Sequence, residues 1–148
     1  MLKLTQLAGF GSGGGGTDAT PDAVDFDDIA DTAPDAAAAT NIVTIGGIDT
    51  TITLRLMLTT NMTGQRVVSI YRNGAFVAQG SSGTTLDVSV TNGQTLQYAF
   101  TNVQDNSTWS GTATVSNLTT GGTVLDTFGY TLIDTGSGGV GVDVVVLF

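Results

Sequence analysis

The thirteen aspartates are the groups of this chain best placed to do acid–base or metal chemistry near neutral pH. Histidine, cysteine and glutamate are absent, and Lys3 is the single lysine. The side chain that titrates at working pH and the usual thiol and amine nucleophiles are therefore missing or reduced to one residue near the start. Seven of the aspartates crowd one stretch: Asp18, Asp22, Asp25, Asp27, Asp28, Asp31 and Asp35. Hard oxygen ligands suit calcium, and Asp25, Asp27 and Asp28 are close enough in sequence to share an ion. The run nevertheless lacks the Asp-x-Asp-x-Asp-Gly spacing and a closing glutamate. A solvated, repulsive edge that keeps the protein dispersed is the stronger reading, and neither a metal nor a cofactor is expected.

A pair of aspartates could also serve as a glycosidase or aspartic-protease dyad, but nothing in the spacing brings two into one cleft. The glycine run 11–16 lacks the Lys-Ser/Thr ending and the flanking strand and helix of a phosphate loop. Sequons begin at Asn61, Asn106 and Asn117, as chance provides in so threonine-rich a chain. Trp109, the lone tryptophan, reads as a core anchor between sheets, with an exposed binding role as the other possibility. The expectation is a protein that is not an enzyme.

Composition sets the scaffold. In 148 residues the net charge is −9, and the cations are Lys3, Arg55, Arg66 and Arg72. That balance argues against nucleic acid and against an anionic membrane surface, since both demand a basic footprint. No stretch of about 18 apolar residues is present, so no membrane-spanning helix is expected. The start has no continuous apolar run and does not read as a signal peptide. Absent Glu and scarce Lys remove two favoured helix formers, while abundant Thr and Val favour strands.

Strand signals recur about every ten residues from Asn41 onward. Ile52, Leu54, Leu56 and Leu58 alternate, with Arg55 and Met57 on the opposite face. Asn73-Gly74 between apolar runs is a strong hairpin signal, because a type I′ turn needs positive φ at both central residues. Leu86, Val88 and Val90 alternate before a second turn at Asn92-Gly93, then Leu96, Tyr98 and Phe100. Strands are also expected over 108–117 and 123–133, the latter with Val124, Asp126, Phe128, Tyr130 and Leu132 on one face. A first strand over 23–27 and one short helical turn over 35–40 complete the expectation. The class is all-β: an antiparallel β-sandwich, chosen over a barrel of the same strand count.

Three regions follow. Residues 1–19 are an arm and Gly-rich tether, 20–134 the sandwich, and 135–148 a Gly-rich linker with an apolar C-terminal strand. Gly/Ser runs make flexible tethers. The segment before the first run carries Leu2, Leu4, Leu7 and Phe10, and is either a solvated tail or an arm that docks on a partner. Val142, Val144, Val146 and Phe148 lie in a strand apolar to its last residue. Left open it would be an aggregation hazard, so it is expected to pair in its own sandwich or against another chain.

Three stretches resemble immunoglobulin-like modules of tailed-bacteriophage virion proteins. They are 20–29 with 41–48, then 85–96 around Asn92-Gly93, and 110–117 with 124–128. The resemblance spans residues 20–133, and residues 4–11 are similar to the start of small phage structural proteins. It implies that the sandwich is immunoglobulin-like, and it supplies no catalytic residues. It implies a non-enzymatic structural protein made in the bacterial host cytoplasm and located on the virion, most readily as a capsid decoration (cement) protein. Its partners would be the major capsid protein, copies of itself in a homo-oligomer, or both. The alternatives are a tail, collar or fibre-associated module, or a carbohydrate- or receptor-binding module using Tyr71, Phe76 and Tyr98; alternation places Tyr98 toward the core, against that last use.

Overall fold

The computed structural model describes residues 17–26, 38–59, 67–80, 85–101, 108–133 and 144–147. Among these are ten strands and one short 3-10 turn. The strands are β1 (Ala38–Ala39), β2 (Val43–Thr44), β3 (Ile52–Thr59), β4 (Val67–Arg72) and β5 (Ala75–Gly80), then β6 (Thr85–Val90), β7 (Thr95–Thr101), β8 (Thr108–Asn117), β9 (Thr123–Ile133) and β10 (Val144–Leu147). They form two sheets in which every pairing is antiparallel. The first has the order β10-β9-β8-β3-β6; the second runs from β1 and β2, side by side in sequence along β7, through β4 to β5. The chain is an all-β antiparallel sandwich.

Alternation builds the core. Ile52, Leu54, Leu56 and Leu58 of β3 are buried while Met57 is exposed, and Leu86, Val88 and Val90 of β6 are buried between exposed neighbours. Opposite them, β7 supplies Leu96, Tyr98 and Phe100, each fully buried. Phe100 stacks on Tyr130 of β9 with ring centroids 5.1 Å apart, which ties the two sheets together. The β4–β5 hairpin turns at Asn73 (φ 52°) and Gly74 (φ 76°), the pair of positive values that a type I′ turn requires. At Asn92-Gly93 only the glycine is left-handed, and the turn carries the chain from one sheet to the other.

Three local expectations are corrected. Residues 23–26 are not a strand: their backbone groups are taken by side chains and loops instead of a ladder neighbour, although Val24 and Phe26 are buried. Ala38 and Ala39 are extended and pair with Phe100 and Ala99, so the alanine run does not end in a helical turn; one turn is too short to outweigh sheet pairing. Residues 35–37 of that run lie outside the described residues. The register of β9 against β8 shifts between Val124 and Asp126, a β-bulge. It leaves Val124 exposed while Leu125 packs on the core, so Val124 does not share the inward face of Phe128 and Tyr130. The Trp109 side chain lies outside the described residues.

Candidate functional site

The segment 17–26, here called the plug, is fixed to the sandwich by side chains that read its backbone. The Asn117 amide donates to the Ala19 carbonyl at 2.7 Å, and the Asn41 amide to the Asp25 carbonyl at 2.9 Å. The Asp126 carboxylate accepts from the Phe26 N–H at 2.8 Å, and the Asp49 carboxylate from the Asp18 N–H at 2.6 Å. Two backbone bonds add to these, Asp22 N–H to the Gly46 carbonyl and Asp49 N–H to the Asp18 carbonyl. The plug thus touches the loop after β2, the end of β8 and the start of β9. It lies along one lateral seam between the two sheets.

Pro21, Val24 and Phe26 are the buried residues of the plug. The Phe26 ring sits 4.8 Å from Tyr98 and 6.4 Å from Phe128, centroid to centroid, and so contacts both sheets. Asn117 is the pivot: fully buried, it also accepts from the Thr119 N–H at 3.0 Å and caps the turn Leu118–Thr120. Its sequon therefore marks a structural asparagine. Sequence reasoning missed this role, because a tripeptide pattern carries no information about which carbonyl lies opposite.

The aspartates divide. Asp18, Asp22 and Asp25 belong to the plug, and Asp27, Asp28, Asp31 and Asp35 lie outside the described residues. Among the described residues no three carboxylates come together as a metal cluster. Asp87 pairs with Arg55 through two bonds of 2.7 Å on the outer face of the first sheet. The guanidinium holds the Asp87 carboxyl below its ordinary range, and the carboxylate raises Arg55 in turn. Tyr98 is different: burial, with a smaller contribution from Asp126, pushes its phenol above the ordinary range, and among the described residues its hydroxyl has no hydrogen-bond partner. A shallow depression of about 430 Å³ is lined by Ile48, Asp49, Thr50, Thr51, Thr91 and Asn92. Its one carboxylate, Asp49, is already engaged by the plug.

Of the expected contact residues, Leu2, Leu4, Leu7, Phe10, Val142 and Phe148 lie outside the described residues. The backbones of Val144 and Val146 fall in β10, opposite Ile133 and Thr131 of β9. The C-terminal strand therefore pairs with its own sandwich, and β10 is the outermost strand of the first sheet among the described residues. Tyr98, an aromatic weighed for ligand binding, is fully buried, whereas Phe76 is 55% exposed and meets Tyr71 edge-on at 6.1 Å. No described helix is long and apolar enough to cross a membrane.

The class that fold and site define is an all-β antiparallel sandwich closed along one seam by an N-terminal plug. No family model, curated protein or solved structure matches the chain.

Proposed function

We propose that this is a non-enzymatic virion structural protein of a tailed phage, a capsid decoration protein that binds the major capsid lattice. The observation that carries the reading is where the plug begins. Asp18 and Ala19 are bonded at the end of the sandwich formed by Asp49 and the turn after Asn117, so the plug begins at that one end. An arm bearing Leu2, Leu4, Leu7 and Phe10 would then reach a neighbouring subunit while the sandwich stays outside. Many such copies on a lattice add binding strength without further chemistry.

The resemblance to immunoglobulin-like phage modules supports the same reading. Two of its three stretches fall on β6, the Asn92-Gly93 turn, β7, β8 and β9; the first, 20–29 with 41–48, falls on the plug and on β2 with its flanking residues, with 27–29 outside the described residues. The interleaving of β3, β4, β5, β6 and β7 between the sheets supports an immunoglobulin-like reading. The departure comes next: β8 crosses to the first sheet, and β1 with β2 takes the place beside β7 that the last immunoglobulin strand would occupy.

Co-sedimentation of the full chain and of a chain lacking residues 1–16 with capsids of the host phage tests the proposal. Binding by the full chain, lost on deletion, is the expected result; undiminished binding refutes the role of the arm. The corner of exposed Phe76 and half-buried Tyr71 favours a second reading, a glycan or receptor contact. Glycan-array binding that is abolished by Phe76→Ala would replace the first reading with this one.

A further inference from the structure

We propose that Asn73 is a site of spontaneous modification, converted to aspartate or isoaspartate through a cyclic imide formed with Gly74, and that the fold protects the corresponding pair Asn92-Gly93. This is independent of the virion reading. Two asparagines of the chain precede glycine, Asn73 and Asn92. Both pairs are exposed, and a Cβ at either glycine would meet nothing within 4 Å. Residue type and crowding therefore do not separate them. The chemistry needs a nucleophile and an electrophile on adjacent residues. The glycine amide nitrogen gives its proton to solvent base and attacks the asparagine Cγ. An N–Cγ bond forms as the Cγ–Nδ2 bond breaks, and Nδ2 takes a proton from water and leaves as ammonia. Water then opens the imide at one of its two carbonyls. One opening gives aspartate, the other isoaspartate, whose backbone runs through the side-chain carbon. Water is the only co-reactant, and either product adds one negative charge to a chain already at −9.

The fold separates the two sites first at the nucleophile. Gly93 N–H donates to the Ile45 carbonyl at 2.7 Å, so its proton is held and its nitrogen is tied to another loop. Two further bonds brace that turn, Thr91 N–H to Gln94 Oε1 at 2.9 Å and Gln94 N–H to the Thr91 carbonyl at 3.2 Å. Gly74 N–H makes no hydrogen bond among the described residues. The electrophile differs as well. Asn73 Oδ1 accepts from the Thr95 N–H at 2.9 Å, while the leaving group Nδ2 makes no bond among the described residues. The Thr95 donor polarises the Cγ carbonyl and already points at the oxygen on which negative charge gathers during attack. At Asn92 the matching bond, from Ile48 N–H, is 3.4 Å long, beyond the usual range. The consequence is local. Asn73-Gly74 is a two-residue loop between paired Arg72 and Ala75, and the next pair along is Tyr71 with Phe76. Aspartate at position 73 keeps an acceptor for Thr95. Isoaspartate adds a backbone carbon to the loop, and hairpin pairing depends on loop length, so the lesion falls on the Tyr71–Phe76 corner.

The test ages the full chain in mildly alkaline buffer, folded in one sample and in concentrated urea in another. Peptide mapping by mass spectrometry, with isoaspartate methyltransferase labelling, follows both sites. In the folded sample deamidation at Asn73 should exceed that at Asn92 several-fold, and in urea the two should react at similar rates. Equal rates in the folded sample, or a faster Asn92, overturn the proposal. So does an Asn73 that stays intact in the folded chain while the urea sample reacts. Isoelectric focusing gives a second readout. Asn73→Asp, which keeps the acceptor for Thr95, should remove most of the acidic band that grows on ageing, whereas Asn92→Asp should leave it growing; the reverse pattern overturns the assignment. Both readouts use the isolated protein, so their failure is separate from any failure to bind capsids.

Discussion

Replacing Phe26 with alanine tests whether the plug belongs to the cooperative core. Phe26 is fully buried, though it lies on no strand, and its ring meets one aromatic side chain from each sheet. Burying such a ring is worth about 1.5–3 kcal/mol, and each favourable aromatic pair adds about 0.5–1.5 kcal/mol. The hole left between Tyr98 and Phe128 adds a cavity cost, which places the total at about 3–5 kcal/mol. Phe76 provides the internal control: the same substitution at a residue 55% exposed should stay within about 0.5 kcal/mol. Equilibrium urea unfolding of both variants measures the difference. The Phe26→Ala midpoint should fall sharply with an unchanged slope, since the slope follows the surface exposed on unfolding. A loss below about 1 kcal/mol would refute the reasoning, because the plug would then unfold separately from the sandwich. A reduced slope would show instead that the substituted plug has already left the native state.

Other perturbations address single contacts. Asn117→Ala removes the donor to Ala19 and the cap of Thr119 together, and should cost about 2 kcal/mol or more in thermal or urea unfolding. Gly47→Ala should destabilise more than Gly74→Ala. Both glycines have positive φ, but a Cβ at 47 would stand 2.6 Å from Asp22 Oδ1 and 3.0 Å from the Asp22 backbone nitrogen, whereas at 74 it meets nothing within 4 Å. The Gly74→Ala cost should be about 1–2 kcal/mol, the backbone strain alone. Tyr98→Phe removes a buried hydroxyl that has no partner among the described residues, so stability should stay level or rise by up to about 1 kcal/mol; a clear loss would reveal a bond to that hydroxyl. Asp87 has a lowered folded pKa, so its contribution is present above the ordinary carboxylate value of 3.8 and is lost as pH falls through the folded value. The stability gap between the wild-type chain and Asp87→Asn should therefore close in acid, and should be small and salt-sensitive throughout because the pair is exposed.

Much of the scaffold was legible in the residues alone. A period of two in β3, β6 and β7 specifies which face is buried, and Asn73-Gly74 specifies a turn, because both depend on neighbours within a few positions. The bulge in β9 was not legible: a one-residue shift reverses the faces of a strand, and it is decided by the partner strand β8. The plug was half legible. Its apolar residues could be read, but its conformation depends on Asp126 and Asn117, which lie 100 and 98 residues from their partners Phe26 and Ala19.

By itself, the sequence determined that this protein is a β-structure poor in reactive side chains, strongly acidic, with apolar segments near both ends of the given chain. Those properties follow from residue type and short-range spacing. Only the tertiary structure decided where the segments on either side of the sandwich go. Val144–Leu147 extends the first sheet along β9, and residues 17–26 close the seam opposite Tyr98. The second outcome rests on plug backbone groups finding partners 98 and 100 residues away, and sequence spacing cannot rank such partners. Of the thirteen aspartates, it was again the fold that set the roles seen here: Asp126 and Asp49 hold a peptide backbone, and Asp87 holds an arginine.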